Sequence, residues 1–181
     1  MRTRLMTKHT LTALLLTVLL AGCMPDLKSD LPPDRIYWLE VPEVGDTPAV
    51  DLWLDVVPGL DSDRVWLLQR DQRLNYYAGA YWPDNLRPLL SSLLSRSLAA
   101  NSAGTDLSVL VERFFAVEVA EQVPPEVVVR AVFESAEQRC RFEWVQSAGG
   151  ERLREVVAGH QRALDALAAA LAEFVQTGRC P

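Results

Sequence analysis

"RLNYYAGAYWPDNLRPLLSSLLSRSL", residues 73–98, changes its period halfway, and that change decides the fold. Arg73 to Tyr81 is rich in aromatic residues and reads as a strand, because large rings fit a pleated, half-buried surface. From Pro83 to Ala100 the apolar residues recur at helical spacing. Leu86, Leu89, Leu90, Leu93, Leu94 and Leu98 fall on one stripe, with Asp84 placed to cap the start and Asn101 to Gly104 to supply a stop. Pro88 lies in the first turns, where a missing N–H costs least. A strand running straight into a one-sided helix predicts a sheet with a helix lying on it.

The residues on either side extend the pattern. Upstream, Val50 to Val57 alternates strictly. Val50, Leu52, Leu54 and Val56 face one way, while Asp51, Trp53 and Asp55 face the other. Ile36 to Val41 and Val65 to Gln69 are further strand candidates. Downstream, strands are expected at Leu107 to Val117, Glu126 to Glu134 and Arg139 to Gln146, followed by a helix over Glu151 to Val175 that buries Val157, Leu164, Leu167, Leu171 and Phe174. Two one-sided helices and several strands can bury their apolar faces only against each other. The expectation is therefore an α+β two-layer sandwich, with a mostly antiparallel sheet and two long helices on one face, over residues 36–181.

The N-terminal end has a different character. Arg2, Arg4 and Lys8 precede an apolar run from Leu11 to Leu20, which rises only ~15 Å as a helix against roughly 30 Å of hydrocarbon. Such a segment fits a cleaved export signal over residues 1–22. It ends on "LLAGC", residues 19–23, which resembles the lipobox of bacterial lipoproteins, where the cysteine is lipidated and becomes the new terminus. Several acyl chains on Cys23 would give the lasting attachment that one chain cannot. Residues 23–35, with Pro25, Pro32 and Pro33, read as a semi-extended tether. Under the usual sorting of the lipoproteins it resembles, Met24 rather than Asp after the cysteine implies the periplasmic face of the outer membrane.

Loss of the signal would remove three of the 18 basic residues and no acidic ones, leaving 15 against 24, a formal −9 over 159 residues. One domain of this charge is a poor candidate for nucleic acid or for charge-driven docking on anionic headgroups. Catalytic chemistry finds little material. His9 lies in the signal, and His160 stands alone on the last helix, where it reads as a surface residue. Asp61 and Asp63 in "PGLDSDR" read as caps of a helical turn, and Gly149-Gly150 as a plain turn. No spacing suggests a metal site or a bound cofactor. Cys140 and Cys180 are an even pair in an exported chain, and the last helix runs back toward the start of its preceding strand, so a disulfide is expected.

Taken in order, the lipobox, "IYWLEVP", the "YYAGAYW" strand, its "NLRPLLSSLLSRSL" helix, "VERFF" and an Ala/Leu-rich closing helix resemble the ABC-type transport auxiliary lipoproteins, the PqiC-like family. That resemblance implies a non-catalytic lipoprotein working with an ABC transporter and an MCE-type periplasmic substrate-binding protein in intermembrane lipid transport. A lipid- or lipopolysaccharide-handling chaperone with its own cavity and an envelope scaffold are the alternatives. Trp53, Tyr77 and Tyr81, placed outward by strand parity, are the expected partner-binding residues.

Cys23→Ser should yield a chain that takes up no radiolabelled palmitate. Incorporation equal to wild type would remove the anchor.

Overall fold

The computed structural model describes residues 33–100, 104–136 and 138–181. The export signal, Cys23 and the tether up to residue 32 lie outside the described residues. Seven strands form one sheet: β1 (Arg35–Ile36), β2 (Val50–Val56), β3 (Arg64–Leu68), β4 (Leu74–Tyr81), β5 (Thr105–Val117), β6 (Glu126–Glu134) and β7 (Arg139–Ser147). The helices α1 (Leu86–Ser97) and α2 (Leu153–Thr177) cover one face, α1 over β2 and α2 over β6 and β7. The expected α+β sandwich stands.

The sheet is mixed, with order β1-β4-β3-β5-β6-β7 and β2 joined to β5 beside this path. Strand β5 is the axis. Along one edge it pairs antiparallel with β6, and β6 in turn with β7. Along its other edge it takes two parallel partners end to end: β2 from Val50↔Thr105 to Val56↔Val111, then β3 at Leu67↔Ala116 and Leu68↔Val117. A bulge between Val111 and Arg113 falls where β2 ends, and such an extra residue bends a strand and increases its twist. Strand β1 is shorter than the Ile36–Val41 expectation, because pairing with β4 ends at Ile36 and the Tyr37 N–H bond to the Tyr81 carbonyl.

Alternation sets the core. Val127, Val129, Ala131 and Phe133 of β6 point to the helices and meet Leu164, Leu167, Leu171 and Phe174, all buried. The leucine stripe of α1 is buried as the spacing predicts. Its free N–H groups are served from a distance. Leu86 donates to the Ser62 carbonyl at 3.2 Å and Arg87 to Asp61 Oδ1 at 3.0 Å, so "PGLDSDR" caps α1 instead of a turn of its own. At the start of α2 a capping box joins Arg152 N–H to Glu155 Oε2 at 2.9 Å.

Helix α2 packs tightly on the sheet at Gly159. A Cβ there would stand 2.7 Å from Val127 Cγ2 and 3.3 Å from Ala148 Cα. At the other end of α2 the Cys140–Cys180 disulfide joins β7 to the C-terminus with Cα atoms 5.3 Å apart, as the antiparallel return of the helix requires.

Gly159→Ala should lower stability by about 1–2 kcal/mol, the overpacking outweighing a helix-propensity gain of ~1 kcal/mol; denaturant titration would show a lower midpoint at unchanged slope. Opening the disulfide, which closes a loop of 40 residues, should cost on the order of 4 kcal/mol on chain-entropy grounds. A thiol-reactive mass tag applied without reduction should label neither cysteine.

Candidate functional site

With both helices on one side, no element among the described residues covers the other face of the sheet. Side chains there follow from parity. Arg64, Trp66 and Leu68 of β3 point to it, because Leu67, level with Ala116 and through it with Val127, takes the helix face and Val65 is buried with it. From β5 come Arg113 and Phe115, from β6 Val128, Arg130 and Val132, and from β7 Arg141, Glu143 and Val145, following the ladders Phe115↔Val128↔Val145 and Arg113↔Arg130↔Glu143.

Strand β4 adds two tyrosines through a local irregularity. Arg64 pairs with Tyr81, yet Trp66 pairs with Tyr76, so β4 spends extra residues between them. Gly79, at φ +69°, supplies the left-handed backbone that this detour requires. The slip puts Tyr76 and Tyr81 on the same face although they are five positions apart. The guanidinium of Arg64 then lies 4.7 Å from the Tyr76 ring centre and 4.3 Å from that of Tyr81. Two faces on one cation hold all three side chains in register. Trp66 meets Tyr76 edge to face at 6.1 Å and donates its indole N–H to the Leu60 carbonyl at 3.2 Å, which fixes its orientation.

The face therefore carries two rows. One is apolar: Tyr76, Trp66, Phe115, Val128 and Val145, of which Phe115 and Val128 are buried among their neighbours and Val145 is exposed. The other is basic: Arg64, Arg113 and Arg130. Glu143 serves two of these, at 2.5 Å from Arg130 and 4.0 Å from Arg113. Rigid aromatics and forked cations are the residue types that anchor protein interfaces.

The structure divides the expected docking trio. Trp53 is 71% exposed on the uncovered face, and Tyr81 is partly exposed there. Tyr77 is not on that face: it packs against the core side, and burial, with Glu118 nearby, pushes its hydroxyl up to about 12. Strict alternation had placed Tyr77 and Tyr81 together, and the slip at Gly79 is why they separate. Trp53, level with Ser108, also lies toward the other end of β5 from β3, which joins that strand at Ala116. The sequence reading passed over Arg64, Trp66 and Tyr76. The alternation of Val65 and Leu67 with Arg64 and Trp66 was the signal available for the first two.

His160 also departs from expectation. It is fully buried rather than on the surface, edge-on to Trp82 and Phe114 at 5.3 and 5.2 Å. Its Nδ1–H donates to the Val156 carbonyl at 2.9 Å, and Nε2 has no partner. Burial pulls its pKa down to about 4, so it is a neutral core residue. Among the described residues no group of His, Cys, Asp and Glu is arranged to hold a metal. Of the clefts, one of about 260 Å³ opens between Pro48, Leu107 and Phe174, and one of about 480 Å³ is a polar hollow among Gln69, Arg70, Arg73 and Glu118.

No family model matches the sequence, and no curated protein matches it. Solved structures do. The protein XCC0632 from Xanthomonas campestris, described under the family DUF330, is 18% identical with a TM-score of 0.60, over 82% of this chain and 94% of that one. An uncharacterized protein of known crystal structure is 14% identical with a TM-score of 0.61, over 80% of this chain and all of that one. Likeness at these identities extends to the fold alone. The expected PqiC-like membership is corrected by this result, since the neighbouring structure is described under a different family, DUF330.

Because His160 has a folded pKa below its unfolded value of 6.5, the unfolded chain binds the extra proton between pH 6.5 and about 4. Its contribution to stability is therefore nil above that window and turns unfavourable as pH falls through it, reaching ~3 kcal/mol. His160→Leu should flatten the acid limb of a stability–pH curve by that amount. An unchanged limb would contradict the assignment.

Proposed function

We propose that the chain is a non-catalytic, lipid-anchored auxiliary component of an ABC/MCE-type transport system, held at the periplasmic face of the outer membrane and acting by docking to the system's periplasmic protein. The observation that carries this reading is the uncovered sheet face, where Arg64 is clamped between Tyr76 and Tyr81 beside Trp66. Pre-ordered aromatics and arginines lose little freedom on binding, which is the quality expected of interface anchors. The lipobox-like "LAGC" and the proline-bearing tether support a domain kept near one membrane while reaching toward a partner.

A chaperone carrying lipid in its own cavity is supported less well. Ligand pockets usually enclose about 300–1,000 Å³ of mostly apolar space. The cleft at Pro48 and Phe174 offers about 260 Å³, and the larger hollow is lined by charged and polar residues.

In detergent-solubilised membranes the wild-type protein should co-purify with the transporter's periplasmic and membrane components. Tyr76→Ala and Tyr81→Ala should each reduce that recovery about tenfold with the melting temperature within a few degrees of wild type. Unchanged recovery in both variants would move the docking surface elsewhere.

A further inference from the structure

Ile36 and Trp38 are 62% and 72% exposed, and both stand where the chain enters the domain. Trp38 is not on a loose end. Tyr37 N–H donates to the Tyr81 carbonyl at 2.8 Å, Leu39 is buried, and Glu40 exchanges two hydrogen bonds with Gln161, at 2.7 and 3.2 Å. With Tyr37 and Leu39 turned inward, Trp38 is held outward. Beside it Pro83, Pro88 and Leu89 line a shallow cleft of about 250 Å³, with Asp84, Ser92 and Arg96 also in its lining.

We propose that this corner, Ile36 with Trp38, rests against the lipid surface in which the Cys23 anchor is embedded. The inference builds on the lipid anchor of the proposed function. Ile36 lies thirteen residue steps after Cys23. At full stretch a chain of that length reaches no more than ~43 Å, so covalent connection alone bounds how far the corner can stand from the anchor. Tryptophan settles at the headgroup level, where its ring is half in hydrocarbon and its N–H stays wet. The formal −9 left after signal removal gives no general attraction to anionic headgroups, so the contact is apolar and indifferent to salt. Ile36, level with Tyr81, marks where this corner meets the sheet face, and the part of that face from Trp66 and Tyr76 across to Arg113 and Arg130 is left available to a protein partner.

Full-length lipidated protein would be reconstituted into phosphatidylcholine vesicles whose acyl chains carry bromine, a quencher of tryptophan fluorescence. Trp38→Phe should cut the bromine-dependent quenching at least about twofold, whereas Trp53→Phe, which removes an equally exposed ring on β2, should leave it as in wild type. Quenching should persist in high salt. Protein that floats with the vesicles but is quenched equally with and without Trp38 overturns the membrane contact, leaves the anchor standing and assigns that corner to a protein. Protein that does not float removes the anchor and the contact together.

Discussion

Strand β5 must satisfy hydrogen-bonding partners on both edges over thirteen residues, and nearly everything else in the domain follows from how it does so. One long antiparallel partner fills one edge. The other is shared by β2 and β3, which lie end to end, and the segment between them has to leave the sheet and come back. That excursion carries Leu60 into the core and brings Asp61 and Ser62 to the open end of α1. A strand too long for either partner thus supplies the cap that seats the first helix. The bulge at Val111–Arg113 marks the same place from the other side.

The two faces of the sheet divide the energetic work. Against the helices lie branched side chains with Phe114 and Phe133 among them, packed closely enough that a Cβ at position 159 would crowd Val127. On the other face the rings are held by each other and by Arg64 rather than by a second layer. Exposed cation–π pairs contribute only about 0.5–1 kcal/mol each, so this cluster does little for global stability. What it supplies is orientation, at a surface where the fold does not require such large residues.

Much of this was legible in the sequence because period and burial agree. The alternation of Val50–Val56 and the leucine stripe of α1 appear as read. The misreadings have definite causes. Parallel pairing of β2 with β5 joins segments far apart in sequence, and no local pattern encodes it. The slip in β4 is hidden in "AGA", where flanking alanines give no apolar contrast by which a change of parity could be noticed, and Tyr77 was misassigned as a result. In α2 the stripe was drawn through Val157, although Val156 is the buried residue. His160, three residues after Val157 and four before Leu164, lay on the stripe either way, and it was read as a surface residue only because it is polar, although the apolar face of the helix carries it inward.

The placement of β5 also governs the order in which the domain can form. A chain made N-terminus first presents β2, β3 and the leucines of α1 well before Thr105 exists to pair with Val50. Until then β2 has an unpaired edge and its apolar side has nothing to cover it. Long-range parallel pairing is slow to close, and unpaired strand edges invite association with other chains. The half-made domain is thus its own most aggregation-prone species, and demand for chaperones should peak during the interval before β5 emerges.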